Sequence, residues 1–269
     1  MGANKTENVL LDYLTKKTNY ALLLTGAWGT GKTYYITKTF MDKAKEVPTI
    51  NSGANKKYEP VLVSLFGVKS IDDVKDRILI SLYPLLDNRY LKTTGTLIKA
   101  VLKSIDVTKL LGKGLLDDAM TNVVEAGKEL KEQRKEYLDF NNLLLCFDDL
   151  ERIDPQYLTE NEILGFINSL VEHDNIKVII IANEGKIDPK VFQKIKEKTI
   201  GHTLHFEQDF YETLQSIVAN GEFTEKYAEY IDNHKLKIYQ LLQREWNEGV
   251  DINYRTVQYI LSTFGEIYH

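Results

Sequence analysis

Gly26-Ala27-Trp28-Gly29-Thr30-Gly31-Lys32-Thr33 is the stretch on which the reading of this chain turns. It runs as a glycine, four residues, then Gly-Lys-Thr. The glycines let the backbone curl so that successive N–H groups point inward, which makes a concavity for an anion. A helix that begins at the lysine adds its positive N-terminal end. The pattern is that of a phosphate-binding loop (P-loop). Gly26, Ala27, Trp28, Gly29, Thr30 and Gly31 would cradle phosphates, and Lys32 would neutralise the β- and γ-phosphates. The Thr33 hydroxyl would ligate Mg²⁺, and Tyr34 would lie alongside the nucleotide.

The flanks support this. Upstream, Tyr20-Ala21-Leu22-Leu23-Leu24-Thr25 is a short unbroken apolar run, as in a strand buried on both faces of a parallel sheet. Downstream, a helix is predicted from Lys32 to about Lys45, and a leading helix over 5–17. Further strands are expected at Pro60 to Phe66, Leu143 to Phe147, Lys177 to Ala182 and Thr203 to Phe206. Between them, Ser70 caps a helix with Ile71, Val74, Ile78 and Leu82 on one face, and Thr159 with Glu162 forms a capping box before another. A further helix is expected near 187–198. Alternating strands and helices predict an α/β fold with a parallel sheet covered on both faces. After Phe206 the strand signal stops, and 209–269 reads as three or four helices. The expected layout is a core over 1–207 with a mostly helical insert at about 88–137, followed by a helical lid over 208–269.

The second half of a phosphate site should be an acid at the tip of another buried strand, with a carboxylate beside it to orient water. Leu143-Leu144-Leu145-Cys146-Phe147-Asp148-Asp149 supplies both. Asp148 is assigned to the metal. Asp149 is the first choice for activating water and Glu151 the second. Glu151-Arg152 also reads as a plain surface ion pair, or Arg152 as a reporter of nucleotide state to a neighbouring subunit. Asn183, at the end of Ile179-Ile180-Ile181-Ala182, is placed to touch a γ-phosphate or water, or simply to make a turn. The segment Asn183-Glu184-Gly185-Lys186-Ile187-Asp188 lacks the Asn-Lys-x-Asp spacing of GTP-specific proteins, which favours ATP. Tyr34 and Tyr35 are open to stacking on the base or to core packing.

Bulk properties narrow the classes. A net charge of −5 and pI near 5.7 argue against a surface devoted to nucleic acid. The lone cysteine, Cys146, excludes an intrachain disulfide and reads as a small buried hydrophobe. With no apolar leader, it predicts a cytoplasmic protein. No stretch reaches the roughly 18 apolar residues of a membrane helix. Residues 92–115 hold five lysines against one aspartate. They read as a solvated helix face, or as a basic surface for peripheral membrane contact or an acidic partner.

Trp28-Gly29-Thr30-Gly31-Lys32-Thr33 together with Asp148-Asp149-Leu150-Glu151-Arg152 resembles the paired motifs of the KAP family of P-loop NTPases, relatives of the STAND and AAA+ ATPases. Asn253-Tyr254-Arg255 resembles that family's Asn-Pro-Arg segment at the start of a lid helix, with Tyr254 where proline is usual. The resemblance spans roughly 5–265. It implies an AAA+-like (ASCE) core, an ATP and Mg²⁺ site, and Arg255 reaching the γ-phosphate from the lid. It also implies Trp28 beside the nucleotide or at a subunit contact. Many KAP proteins carry membrane helices between the two motifs, but 88–137 is not apolar enough here, so that property is not carried over. Two functions remain open. One is an ATPase, for which the resemblance implies a role in anti-phage defence, that works as a homo-oligomer or on a protein partner. The other is a nucleotide-gated interaction module with little turnover, forming the N-terminal part of a larger effector.

Overall fold

The structure, a computed structural model, describes residues 2–50, 56–82, 142–173, 175–245 and 252–268. The expected insert at 88–137 and the basic stretch at 92–115 lie outside the described residues.

Five strands form one parallel sheet: β1 (Ala21–Thr25), β2 (Glu59–Ser64), β3 (Leu143–Asp148), β4 (Lys177–Ala182) and β5 (Ile200–His205). Their order is β2-β3-β4-β1-β5. β1, β3 and β4 are buried along their whole length, because helices cover both faces, and this is why each reads as a continuous apolar run. Alternate side chains go to opposite faces. Leu23, Leu145, Phe147 and Ile180 join one cluster, and Leu22, Leu24, Cys146 and Ile181 join the other. Burial pushes the Cys146 thiol well above its ordinary pKa, so it behaves as the packed hydrophobe expected of it.

The first face carries three helices: α4 (Ile71–Leu82), α5 (Glu160–Glu172) and α6 (Pro189–Thr199). α5 starts at the expected capping box. Thr159 Oγ1 accepts from Glu162 N, and Glu162 Oε2 accepts from Thr159 N at 2.8 Å. The second face carries α1 (Gly2–Thr15) and the helix that leaves the glycine loop. That helix is interrupted. It begins as α2 (Lys32–Tyr35), widens into a π turn at Ile36–Phe40 and ends as α3 (Met41–Ala44). β-branched Ile36, Thr37 and Thr39 crowd the widened segment, and Thr37 Oγ1 donates back to the Thr33 carbonyl at 2.8 Å.

A third cluster belongs to α7 (Phe210–Asn220), α8 (Glu225–Glu245) and α9 (Tyr254–Ile267). Its centre is aromatic, with the Phe210 and Tyr239 rings 4.8 Å apart. Asp209 caps α7 by accepting from Tyr211 N and Glu212 N, and Asn253 caps α9 by accepting from Arg255 N and Thr256 N. Each predicted strand is present within a few residues. β5 differs most, beginning at Ile200, because Gly201 and His202 hide its start in an apolarity pattern. Among the described residues, no helix is long and apolar enough to cross a membrane.

Candidate nucleotide-binding site

The sheet order brings the two motifs together. β4 lies between β1, which ends in the glycine loop, and β3, which ends in Asp148-Asp149. Both motifs therefore emerge at the same carboxyl edge, one strand apart. Gly29 and Gly31 have φ of 81° and 91°, the left-handed region that only glycine enters freely. Lys32 is buried, and its Nζ donates to the carbonyls of Gly26 (2.7 Å) and Ala27 (2.8 Å), so the ammonium sits inside the loop. Thr30 Oγ1 donates to the Ala27 carbonyl at 2.9 Å and braces the curl.

Thr33 Oγ1 donates to Asp148 Oδ2 at 2.8 Å, so the two motifs touch directly. With its proton committed to Asp148, the hydroxyl keeps lone pairs for a cation. Asp148 is buried, and desolvation above all holds its carboxyl above the ordinary range. The charges of Asp149 and Glu151 add to this, while hydrogen bonds from Thr33 and the Asp149 N–H oppose it. A buried carboxylate strained by like charges, next to an oriented hydroxyl, fits a hard divalent cation. Among the described residues no three His, Cys, Asp or Glu side chains gather into a protein-only cage. Mg²⁺ needs none, since it takes one or two protein ligands and completes its shell with phosphates and water.

Asp149 sits in the left-handed region at φ 62°, ψ 37°, which lets its N–H donate to Asp148 Oδ1 at 2.9 Å. Its own carboxylate is engaged twice. Arg152 Nε lies 2.9 Å from Oδ1, a charge contact without the alignment of a hydrogen bond, and Ser64 Oγ donates to Oδ2 at a long 3.4 Å. Glu151 Oε1 accepts from Trp28 Nε1 at 2.6 Å. The Trp28 ring carries two cations, with Arg152 Cζ 4.9 Å and Lys186 Nζ 5.6 Å from its centroid. Trp28 is thus neither core nor isolated, since it joins the glycine loop to the acidic motif.

Helices α1, α2 and α7 and the start of α9 close a cleft of about 500 Å³ over the loop. Its lining includes Lys32, Thr33, Asp148 and Asp149, and also Glu7, Tyr35, Ser216, Ile217 and Asn220, together with Tyr34 and the exposed Arg255. Asn183 follows β4 beside β1 but is not among the lining residues. Three contacts had no sequence signal. Tyr254 N donates to the Gly29 carbonyl at 2.8 Å, tying α9 to the loop. Asn253 packs onto Gly29, and Gln208 packs onto Gly31. All three join positions more than 170 residues apart, where periodicity carries no information.

No curated protein matches this sequence. Two solved structures to which it shows a weak similarity are Drosophila ORC bound to DNA and the Walker-type ATPase PabY2304 of Pyrococcus abyssi. The first is 14% identical with a TM-score of 0.39, covering 97% of this chain and 55% of that one. The second is 14% identical with a TM-score of 0.41, covering 85% and 62%. The chain therefore spans only 55–62% of the length of these proteins. Over residues 4–269 the sequence matches the KAP family P-loop domain, and the chain belongs to that family, with the fold of an ATP-binding P-loop NTPase.

Proposed function

We propose that this protein is a Mg²⁺-dependent ATPase in which 1–207 binds and cleaves the nucleotide and 208–269 acts as a lid. The observation that carries this is the Thr33–Asp148 hydrogen bond, with Asp149 beside it at the edge of the cleft. The N–H groups of the loop from Gly26 to Gly31 hold the phosphates. Lys32 exchanges the Gly26 and Ala27 carbonyls for phosphate oxygens. Thr33 and Asp148 would hold Mg²⁺, which would supply neutralisation of phosphate charge. Asp149 orients the attacking water in line with the γ-phosphorus, with Glu151 as second choice. Asn183 steadies that water, and Arg255 reaches the γ-phosphate from the lid.

The test is ATP hydrolysis alongside light-scattering mass. Lys32→Ala is expected to lose triphosphate binding. Asp149→Asn is expected to keep binding and lose turnover by about 100-fold or more, the scale of a general base. Normal turnover in Asp149→Asn, with loss in Glu151→Gln, would move the role to Glu151. Turnover that rises with mass would place a shared site in a homo-oligomer and direct attention to Arg152 in trans.

A second reading is favoured by one observation: Arg152 holds Asp149 and Trp28 holds Glu151. With both acids engaged, the protein would be a nucleotide-gated module that clasps ATP and acts through a protein partner. Tight binding without turnover at any mass would select it. The biological setting proposed, on family membership alone, is anti-phage defence.

A further inference from the structure

Beside the cleft lies a polar group that nothing among the described residues uses. Tyr35 is a lining residue of the cleft, and its hydroxyl is shut off from solvent with no hydrogen-bond partner among the described residues. The ring is 4% exposed and held in place by Phe206, whose centroid is 5.2 Å away. Leaving a buried hydroxyl unpaired costs about 1–3 kcal/mol, so its retention points to an absent partner. Burial, and then the charge of Glu7, raise the Tyr35 pKa, so the group remains an O–H donor at neutral pH. Glu7, from α1, lines the same cleft. Its Oε2 accepts from Lys43 Nζ at 2.6 Å, while Oε1 has no partner among the described residues. Ile217, Ser216 and Asn220 of α7 form a mixed wall.

Tyr35 stands three residues after Lys32, about one helical turn on, so it adjoins the phosphate loop.

We infer that this region reads adenine, with Tyr35 donating to N7 and Glu7 accepting from the N6 amino group. This rests on the glycine loop holding the phosphates, as proposed above. One purine edge presents an N6 donor and an N7 acceptor in adenine, but O6 and N7 acceptors in guanine. In the same pose, guanine would satisfy Tyr35 yet set O6 against the Glu7 carboxylate, acceptor against acceptor. Glu7 is therefore the residue that separates ATP from GTP. Tyr35 strengthens either purine and contributes nothing to a pyrimidine, which has no N7.

Binding of Mg·ATP, Mg·GTP and Mg·CTP to the wild type, Glu7→Gln, Tyr35→Phe and Lys32→Ala tests this, with a thermal melt of each variant to verify folding. The wild type is expected to prefer ATP over GTP by about tenfold or more. In Glu7→Gln the amide can turn its NH₂ toward O6, and the ratio should fall to about threefold or less through a gain in GTP binding. Tyr35→Phe should weaken ATP and GTP by about the same factor, near fivefold, and leave CTP unchanged. Wild-type binding of ATP that is lost in Lys32→Ala, with an ATP-to-GTP ratio unmoved by Glu7→Gln, overturns the base assignment alone. Binding of ATP that Lys32→Ala leaves intact overturns the phosphate assignment, and the base assignment with it.

Discussion

Gly29 has no room for a side chain. A Cβ built there would lie 2.0 Å from Asn253 Oδ1, and φ is already +81°. Asn253 cannot swing aside without uncapping α9, worth about 1 kcal/mol. Gly29→Ala is therefore expected to destabilise the protein by about 1–3 kcal/mol and to weaken ATP binding. Gly165 is the control: it lies inside α5 with nothing within 4 Å of a built Cβ. Gly165→Ala should stabilise by about 0.5–1 kcal/mol, and urea midpoints of the two variants should move in opposite directions. At this scale the sequence was legible in kind but not in posture. The spacing marks Gly29 as a loop glycine and Asp149 as an acid at a strand tip. It does not show that Asn253 requires the first, or that the second adopts φ 62° to bring its N–H onto Asp148.

Helix α1 shows what an element's own pattern conveals. Val9, Leu10, Tyr13 and Leu14 recur at helical spacing and predict a helix. Nothing in that spacing says what the helix rests on. It rests on Lys177, the first residue of β4, which is 2% exposed. Lys177 Nζ donates to the Lys16 carbonyl at 2.5 Å and to Thr18 Oγ1 at 2.6 Å, 4.4 Å from the centre of the Tyr13 ring. Tyr13 itself accepts from Val178 N at 3.2 Å. Burial lowers the Lys177 pKa from 10.5 to about 8. The direction fixes the pH effect. Below pH 8 folded and unfolded chains both hold the proton. Between about 8 and 10.5 the unfolded chain keeps a proton that the folded one has released, so stability climbs with pH there. From about pH 7.5 to about pH 9.5 the gain from this group should approach about 2 kcal/mol. Lys177→Met should lack it, which paired urea titrations at the two pH values would show. A flat difference between wild type and variant would mean that the amine stays charged inside.

Over the whole molecule, the alternation of strands and helices was enough to give the α/β class and the two covered faces. Strand order was not contained in any local pattern. It follows from which apolar run pairs with which, and only the placing of β4 between β1 and β3 puts Thr33 against Asp148. The helical end was visible as a change of texture after Phe206. Its attachment was not, because the contacts at Gly29 and Gly31 join residues far apart in the sequence. If α7 and α9 close over bound nucleotide, their backbone amides should exchange more slowly with ATP and Mg²⁺ present, and no more slowly in Lys32→Ala. Equal exchange with and without nucleotide in the wild type would remove the lid from the mechanism. Trp28 gives the same loop an optical property. The chain has two tryptophans, and in a Trp246→Phe background the emission belongs to Trp28 alone. With a carboxylate on its N–H and two cations over its ring, that indole is a fluorophore whose colour and brightness depend on where Glu151, Arg152 and Lys186 stand.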